Sequence, residues 1–257
     1  MRKVGGVDWL SDDLLLLTIV CYRGRVGRVY TIGYALMAAE LIRLAARERI
    51  EIRGDQIVVM SAEPTGDTEL DGALAGIAEW ASPPRLDAWV AWPRLRIHGG
   101  YLERLAAAGV VRAESRLMAR RWRISDPPRL AEARQRLDLV AGSAGAADLG
   151  QAAHAGLACV IGLDRRLYRG RSRRAERDRL REIALGGLTA SPAAGDDPAD
   201  GTGALPASAG GADAAQARRH AATRAAIDAA TRAAARAAAQ GVARATARDS
   251  IAWYVGS

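Results

Sequence analysis

The stretch Thr31–Ile52 (TIGYALMAAELIRLAARERIEI) constrains the fold most, because a helical repeat passes directly into a strand pattern. Arg47 and Arg49 occupy the turn that closes the repeat, where cations suit the negative end of a helix dipole. The continuation RIEIRGDQIVVMS is typical of a strand, a Gly-Asp turn and a second strand. We therefore predict a helix followed by a β-hairpin. The apolar residues of the helical repeat are Ile32, Leu36, Ala39, Leu41 and Leu44.

The next stretch, SAEPTGDTELDGALAGI (Ser61–Ile77), places Pro, Gly and acidic residues in front of a second apolar repeat. Pro and Gly favour a turn, and either Thr65 or Asp67 can cap the helix that follows. We interpret the acids as capping and dipole partners of this helix rather than as a catalytic pair. The helical repeat consists of Leu70, Ala73, Leu74 and Ile77.

A second unit, YLERLAAAGVVRAESRLMARRWRISD, repeats this plan. An amphipathic helix ends at Gly109, and two β-like runs, Val110–Glu114 and Trp122–Ile124, flank a basic turn. Helical patterns then follow in PPRLAEARQRLDLVAG, in the apolar AADLGQAAHAGLACVIGLDRRLY and in the charged RGRSRRAERDRLREIA. The predicted fold class is mainly α: a single globular helical domain with short β-hairpins.

The composition changes after Ala184 and predicts three parts. Residues 1–185 form the globular domain, and residues 186–211, rich in Gly, Ala, Pro, Ser and Asp, form a flexible linker. Residues 212–257 form a C-terminal helix rich in Ala and Arg. Its basic face is either a solvated surface or a surface that touches phosphates. Four of its arginines are spaced by multiples of four: Arg232, Arg236, Arg244 and Arg248.

The chain of 257 residues carries 37 Lys and Arg against 29 Asp and Glu, a formal charge of +8. Such an excess favours polyanionic partners, either nucleic acid or an anionic membrane surface. The abundance of Arg, Ala and Gly is also typical of proteins encoded by genes of high GC content, and it suggests a bacterial source. The run LLLLTIVCY is too short to span a bilayer, and the first residues lack a signal-peptide pattern. We expect a soluble, cytoplasmic protein whose membrane contact is peripheral.

The sequence contains no arrangement typical of catalysis or metal binding. Cys21 and Cys159 are far apart in the sequence, which indicates neither a disulfide framework nor a zinc site. We interpret both as small core residues. Each of the three histidines falls in a separate predicted element: His98, His154 and His220. We interpret His154 as a core residue. Dinucleotide and phosphate-loop patterns are absent from the sequence. We therefore expect no enzyme activity, no metal and no cofactor.

Two binding modes fit the remaining pattern. In the first, each helix and basic hairpin forms a winged-helix unit whose arginine-rich turn ARRWR lies against DNA phosphates. The helix YLERLAAAGVV, however, offers few polar side chains for reading bases. In the second mode, the arginines meet the phosphates of an anionic membrane while Trp122 sits at its interface. Nucleic acid is the less favoured partner.

Four stretches appear in an order that resembles the Golgi phosphoprotein 3 family: DLLLLTIV, AAELIRLAARERIEI, EPTGDTELDGALAGI and YLERLAAAGVVRAES. The segment Pro64–Leu74 carries the closest likeness, and the resemblance extends from Asp12 to Ala184. It implies a mainly helical domain attached peripherally to the inner face of a membrane. It also implies recognition of phosphatidylinositol 4-phosphate, an adaptor role that holds membrane proteins by their cytoplasmic tails, and self-association through a hairpin.

The resemblance also locates a candidate headgroup site. The family's pocket tryptophan falls near Arg28, and its pocket arginines fall at Met37, Leu95 and His98. We therefore expect affinity for anionic phospholipid headgroups in general, with phosphatidylinositol 4-phosphate the headgroup that the resemblance implies. The predicted headgroup-binding residues are Arg28, Arg94, Arg96 and His98. The predicted membrane-contact hairpin consists of Arg120, Arg121, Trp122 and Arg123.

Overall fold

The computed structural model describes residues 7–26, 31–91, 97–116, 119–143, 145, 147–186, 216–217, 221–236 and 238. The described part is mainly helical with two small antiparallel strand pairs, which confirms the predicted fold class. Within it, no helix is both long enough and apolar enough to cross a membrane.

Helices α1 (Leu10–Cys21) and α2 (Ile32–Ala46) form the centre of the core. In α2, every residue except Tyr34 and Ala46 is buried. A helix that is buried on all sides lies within the core, because neighbours cover its whole circumference. The amphipathic pattern thus predicted the helix but understated its burial, since α1 and four later helices all contact it.

The first hairpin follows α2 as predicted. Strands β1 (Ile50–Arg53) and β2 (Gln56–Val59) pair antiparallel, and Gly54 adopts a φ of 62° in the tight turn between them. Helix α3 (Thr68–Ala78) comes next and buries the four predicted residues of its apolar repeat. The short helix α4 (Leu86–Ala91) then packs against α2.

The second unit contains helix α5 (Ile97–Ala107) and strands β3 (Val111–Arg116) and β4 (Ala119–Ile124). Gly109, with a φ of 74°, separates the helix from the hairpin, as predicted. Both strands are longer than the sequence pattern indicated, because the pairing continues to Arg116 and Ala119. Strand β4 contacts α1, which places the hairpin against the central helix.

Four further helices complete the described part before the C-terminal region: α6 (Pro127–Gly142), α7 (Leu149–Val160), α8 (Leu163–Leu167) and α9 (Arg174–Gly186). The Asp126 side chain caps α6, and Asp148 forms a capping box with Gln151 at α7. The predicted single apolar helix is divided in two at Gly162, whose φ of 73° ends α7 and begins α8.

Residues 221–236 are helical and contribute to the same hydrophobic core as α1 and α2. The methyl group of Thr231 lies 2.7 Å from the position that a Cβ on Gly156 of α7 would occupy. Arg236 pairs with Asp87 of α4 at 2.6 Å, so this predicted solvated or phosphate-touching side chain has a partner inside the protein. The segment's buried residues include Ala226, Ile227, Ala230, Ala233 and Ala234.

The predicted linker, residues 186–211, lies outside the described residues from position 187 onward, as do Arg244 and Arg248. The division at 185 and 211 therefore stays a prediction. Because residues 221–236 bury their alanines in the common core, they pack as part of the globular fold.

Candidate functional site

The acidic turn in front of α3 is a structural element. The Asp67 carboxylate accepts hydrogen bonds from the backbone amides of Glu69 and Leu70, at 3.1 and 3.2 Å, which confirms the predicted cap. It also pairs at 2.5 Å with Arg43, whose side chain is only 2% exposed. Burial opposes ionisation of Asp67, but Arg43 and the Leu70 amide outweigh it and hold the pKa of Asp67 below its ordinary value.

The Arg43 guanidinium continues this contact into a buried polar network. It lies 3.5 Å from the hydroxyl oxygen of Tyr101, and the Tyr101 hydroxyl donates to Glu40 at 3.1 Å. Burial, together with the Glu40 carboxylate, raises the pKa of Tyr101 well above its ordinary value. The network joins α2, α3 and α5 inside the core. These acids therefore hold helices together.

The acid pair at the start of α1 has a similar role. The Asp13 carboxylate is fully buried and pairs with Arg129 at 2.9 Å and Arg136 at 2.7 Å, both on α6. Asp12 pairs with Arg104 of α5. Acids at this position suit the start of a helix, where they face the positive end of its dipole. Their ion pairs with distant helices were missed, because pairing across the fold leaves no mark in local spacing.

His154 and the cysteines are packing residues, as predicted. His154 is fully buried, and its ring meets the edge of Trp9 at a centroid distance of 5.1 Å. Burial lowers the pKa of His154 to about 4. Burial also raises the pKa of Cys21, and it raises that of Cys159 to about 12, so both thiols stay protonated at neutral pH. In the described parts of the chain, no group of His, Cys, Asp and Glu is arranged to hold a metal ion.

A surface cavity of about 460 Å³ lies where the end of α1 meets the second hairpin. The guanidinium-bearing residues Arg23, Arg121 and Arg123 line it together with one acidic residue, Glu114. Val20 contributes an apolar side chain that is 47% exposed. The cavity thus combines positive charge with an apolar edge, and we treat it as the candidate functional site.

A tight turn forms the α1 side of the cavity. Arg23 and Gly24 both adopt positive φ, 52° and 77°, so the chain reverses directly after the helix. The Gly24 amide donates to the carbonyl of Ile19 at 2.7 Å, and its carbonyl accepts from the amide of Trp122 at 3.1 Å. A Cβ on Gly24 would lie 2.4 Å from the Trp122 carbonyl oxygen, so only glycine fits here without a shift.

Strand β4 forms the opposite wall. Successive side chains on a strand point to opposite faces. Trp122 is 8% exposed and belongs to the core, while Arg121 is half-buried and Arg123 is exposed on the other face. Arg123 donates to Glu114 of β3 at 3.1 Å. Arg121 forms no ion pair with any residue that the structure describes.

The structure describes only part of the predicted headgroup site. Arg28, Arg94 and Arg96 lie outside the described residues. His98 lies in the first turn of α5, half-buried, and makes a contact within the protein. Met37, at a position where the resemblance places an arginine, is buried in α2 and is 1% exposed.

The predicted membrane hairpin is divided by the strand alternation. Arg121 and Arg123 line the cavity, and Arg120 belongs to β4 but its side chain lies outside the described part. Trp122 also borders the cavity but is only 8% exposed, and its contact with a membrane stays a prediction. Sequence reasoning missed Arg23. A glycine flanked by two arginines in RGRVGR, directly after an apolar helix, is the signal that marks this turn.

The fold and the cavity define a mainly helical protein with a basic surface pocket beside its second hairpin. A family model described as Golgi phosphoprotein 3 (GPP34) matches residues 10–252. The chain therefore belongs to the Golgi phosphoprotein 3 family, as its sequence indicated. The match extends beyond Ala184 and includes the helical residues 221–236. A search of curated proteins found no match to this chain.

Proposed function

We propose that this protein binds anionic phospholipid headgroups at a membrane surface, and that the cavity between α1 and the second hairpin receives the headgroup. Family membership makes phosphatidylinositol 4-phosphate the first headgroup to test. The single observation that carries the proposal is the meeting of Arg23, Arg121 and Arg123 in one open cavity.

The chemistry of the cavity suits a phosphorylated headgroup. Arginine presents several N–H donors in a planar fork that matches phosphate oxygens. A cavity of about 460 Å³ is of the size at which small-ligand sites occur. Because Arg121 has no ion pair among the described residues, its guanidinium is available to a ligand. The Arg123 guanidinium would contact both the Glu114 carboxylate and the ligand.

The apolar edge of the cavity suits the rest of a lipid. Val20 is nearly half exposed, and Leu130 of α6 also contributes to the lining. A headgroup held by the arginines would leave its glycerol and the start of its acyl chains against these side chains. An inorganic phosphate would use the charged groups alone.

The residues predicted from the family pocket remain part of the proposal. Arg25 is exposed in the same turn as Arg23, and Arg28 follows three residues later. Arg94, Arg96 and His98 precede or begin α5. Each predicted arginine that meets the anionic surface would contribute about 1 kcal/mol to membrane binding.

The proposal contains no catalytic step. By family membership it extends to an adaptor role, in which the protein on the inner face of the membrane holds membrane proteins by their cytoplasmic tails and associates with further copies of itself.

The packing of α5 argues against the winged-helix alternative. A reading helix must expose polar side chains to bases. Here Tyr101, Leu102 and Leu105 are at most 3% exposed, and Arg104 is paired with Asp12. Helix α5, in front of the basic hairpin, therefore buries these side chains in the protein core, where they cannot contact bases.

Competition between the two polyanions tests the proposal. The full chain is offered vesicles that contain phosphatidylinositol 4-phosphate together with an excess of duplex DNA at physiological salt. We expect the protein to sediment with the vesicles. Retention on DNA, or sedimentation with neither, would overturn the proposal. Salt sensitivity alone does not discriminate, because both contacts weaken as salt rises.

A further inference from the structure

Several exposed arginines lie beside the cavity, in α8 and in the segment that joins α8 to α9. We propose that this group, the α8 arginine patch, is a second contact with anionic lipids that fixes the orientation of the protein on the membrane. The inference rests on the proposed function and extends it to a separate surface. The α8 arginine patch consists of Arg165, Arg166, Arg169 and Arg171.

Among the described residues, no acidic side chain pairs with the patch arginines, in contrast to the arginines that follow them in the chain. Arg173 pairs with Glu176 at 2.8 Å, and Arg174 pairs with Asp178 at 3.3 Å. By contrast, none of the patch arginines forms an ion pair with a residue that the structure describes. All four side chains are exposed, so the patch presents concentrated positive charge to solvent. Such a field attracts a polyanionic surface.

The patch and the cavity meet at the same end of α1. The Arg166 guanidinium stacks over the Tyr22 ring at 4.0 Å from its centroid. The Tyr22 hydroxyl donates to the carbonyl of Ile161, at the end of α7, at 3.1 Å. Tyr22 directly precedes Arg23, which lines the cavity. Tyr22 thus contacts the patch and directly precedes a residue of the cavity, so the two basic surfaces adjoin each other.

Buried contacts hold the patch in place. Asp164 is 2% exposed and pairs with Arg181 of α9 at 2.8 Å. Tyr168 is fully buried, and its hydroxyl donates to Asp138 of α6 at 2.6 Å. The Tyr168 carbonyl accepts a hydrogen bond from Arg177 at 3.3 Å. Since the backbone between the arginines is anchored to two helices, little order has to be gained when the patch meets a partner.

A membrane surface fits this arrangement better than a discrete ligand does. The patch side chains are exposed and spread along the chain, whereas a small anion is held by groups that converge in a concave site. An anionic bilayer engages several separated arginines at once. DNA is also an extended polyanion, but the adjoining cavity with its apolar Val20 edge favours lipid.

Paired variants test the inference. Arg169→Ala/Arg171→Ala removes two patch charges that make no ion pair in the described fold. The control Arg53→Ala/Arg85→Ala removes the same charge from two exposed arginines of the first hairpin region, whose ion pairs with Glu51 and Asp55 are also exposed. Each protein is titrated with phosphatidylcholine vesicles carrying phosphatidylserine, with and without phosphatidylinositol 4-phosphate. Each is also titrated with soluble glycerophosphoinositol 4-phosphate and with duplex DNA.

We expect the patch variant to bind vesicles roughly tenfold more weakly than the parent, with soluble headgroup binding unchanged. The control variant should stay close to the parent in both assays. Hydrogen exchange of the parent on vesicles should show protection over residues 165–173.

Vesicle binding that is equal in the patch variant and the control would overturn the inference. So would a patch variant that loses binding to DNA and keeps binding to vesicles. If the parent binds phosphatidylserine vesicles through the patch but never binds the soluble headgroup, the proposed cavity function fails while the patch stands.

Discussion

The backbone carbonyl of Gly24 accepts a hydrogen bond from the backbone amide of Trp122 at 3.1 Å, across 98 positions of the chain. This contact joins the turn after α1 to strand β4 and so forms the cavity between Arg23 and Arg121. Neither residue of the contact is charged. The basic site therefore depends on a hydrogen bond between backbone groups, which a search for side-chain motifs would not detect.

Replacing Gly24 with alanine should open this junction. The φ of 77° disfavours any residue with a Cβ, and that Cβ would lie 2.4 Å from the Trp122 carbonyl oxygen. We expect a loss of about 2 kcal/mol or more in the free energy of unfolding, together with weaker headgroup binding. Chemical denaturation and headgroup titration measure the two effects.

Gly54→Ala is the matched control for this substitution. Gly54 also has a positive φ, 62°, but nothing lies within 4 Å of the position that an alanine Cβ would take, so only the conformational cost of about 1 kcal/mol applies. Equal effects of the two substitutions on stability and binding would show that the junction with Trp122 is unimportant.

The ion pair between Arg43 and Asp67 should be essential for stability. Arg43→Ala leaves the Asp67 carboxylate, 14% exposed, without its buried partner. Breaking one side of a buried pair costs about 3–5 kcal/mol. Arg53→Ala, in the first hairpin, removes a pair with Glu51 whose side chains are 58% and 38% exposed, and should cost about 1 kcal/mol or less. Urea unfolding that gives similar values for both variants would contradict this role for the acidic turn.

His154 should make the fold sensitive to mild acid. Its pKa is about 4 in the folded protein, against an ordinary value of 6.5 in the unfolded chain. Between these values the unfolded chain binds more protons, so stability is complete above about pH 6.5 and falls as the pH drops towards 4. The total loss from this group is about 3 kcal/mol.

His154→Leu removes the titrating ring and should flatten this part of the stability curve. Neither ring nitrogen has a hydrogen-bond partner in the described structure, so the apolar replacement leaves no broken hydrogen bond behind. The lowered pKa of Asp67 acts in a separate window, since that contribution is lost only as the pH falls below its ordinary value of 3.8. A variant that keeps the full slope between pH 6.5 and 4 would show that the titration does not arise from His154.

Local patterns in the sequence were sufficient for several helices and the first hairpin, but they missed the division between α7 and α8. Helical spacing located α2 and α3, and turn chemistry located the first hairpin, because these signals lie within a few residues of one another. The Asp67 cap was predictable for the same reason. Family resemblance added the class of protein, which the match over residues 10–252 confirms.

The site was less predictable, because its parts meet through tertiary contacts. The hairpin arginines were identified, but their partner Arg23 and the inward position of Trp122 follow from the docking of β4 on α1. Transfer of the family pocket by alignment pointed to the position of Met37, which is buried. The division at residues 185 and 211 followed composition and stays a prediction. Burial of Ala230 and its neighbours depends on the facing surface of α7, which composition does not reveal.

The C-terminal helical residues 221–236 should be held to α7 by a steric fit. Gly156→Ala would place a Cβ 2.7 Å from the Thr231 methyl group and should loosen the segment. Adding Thr231→Ala removes that methyl group and should restore docking. Limited proteolysis is the readout: the parent should be cut first between Gly186 and Gly211, and the single variant should also be cut within 221–236. Equal cutting in the single and double variants would contradict this packing. Early cutting of the parent inside Ala39–Leu74 would contradict the predicted domain division.

The most direct test of the account is calorimetric titration of the full chain with soluble glycerophosphoinositol 4-phosphate. The parent, Arg23→Gln/Arg121→Gln and the control Arg53→Gln/Arg85→Gln are compared at one salt concentration. The cavity variant loses two charged hydrogen-bond donors, so we predict that its affinity falls by at least about tenfold while the control matches the parent. A parent that does not bind, or a cavity variant that binds as tightly as the parent, would contradict headgroup binding at this cavity.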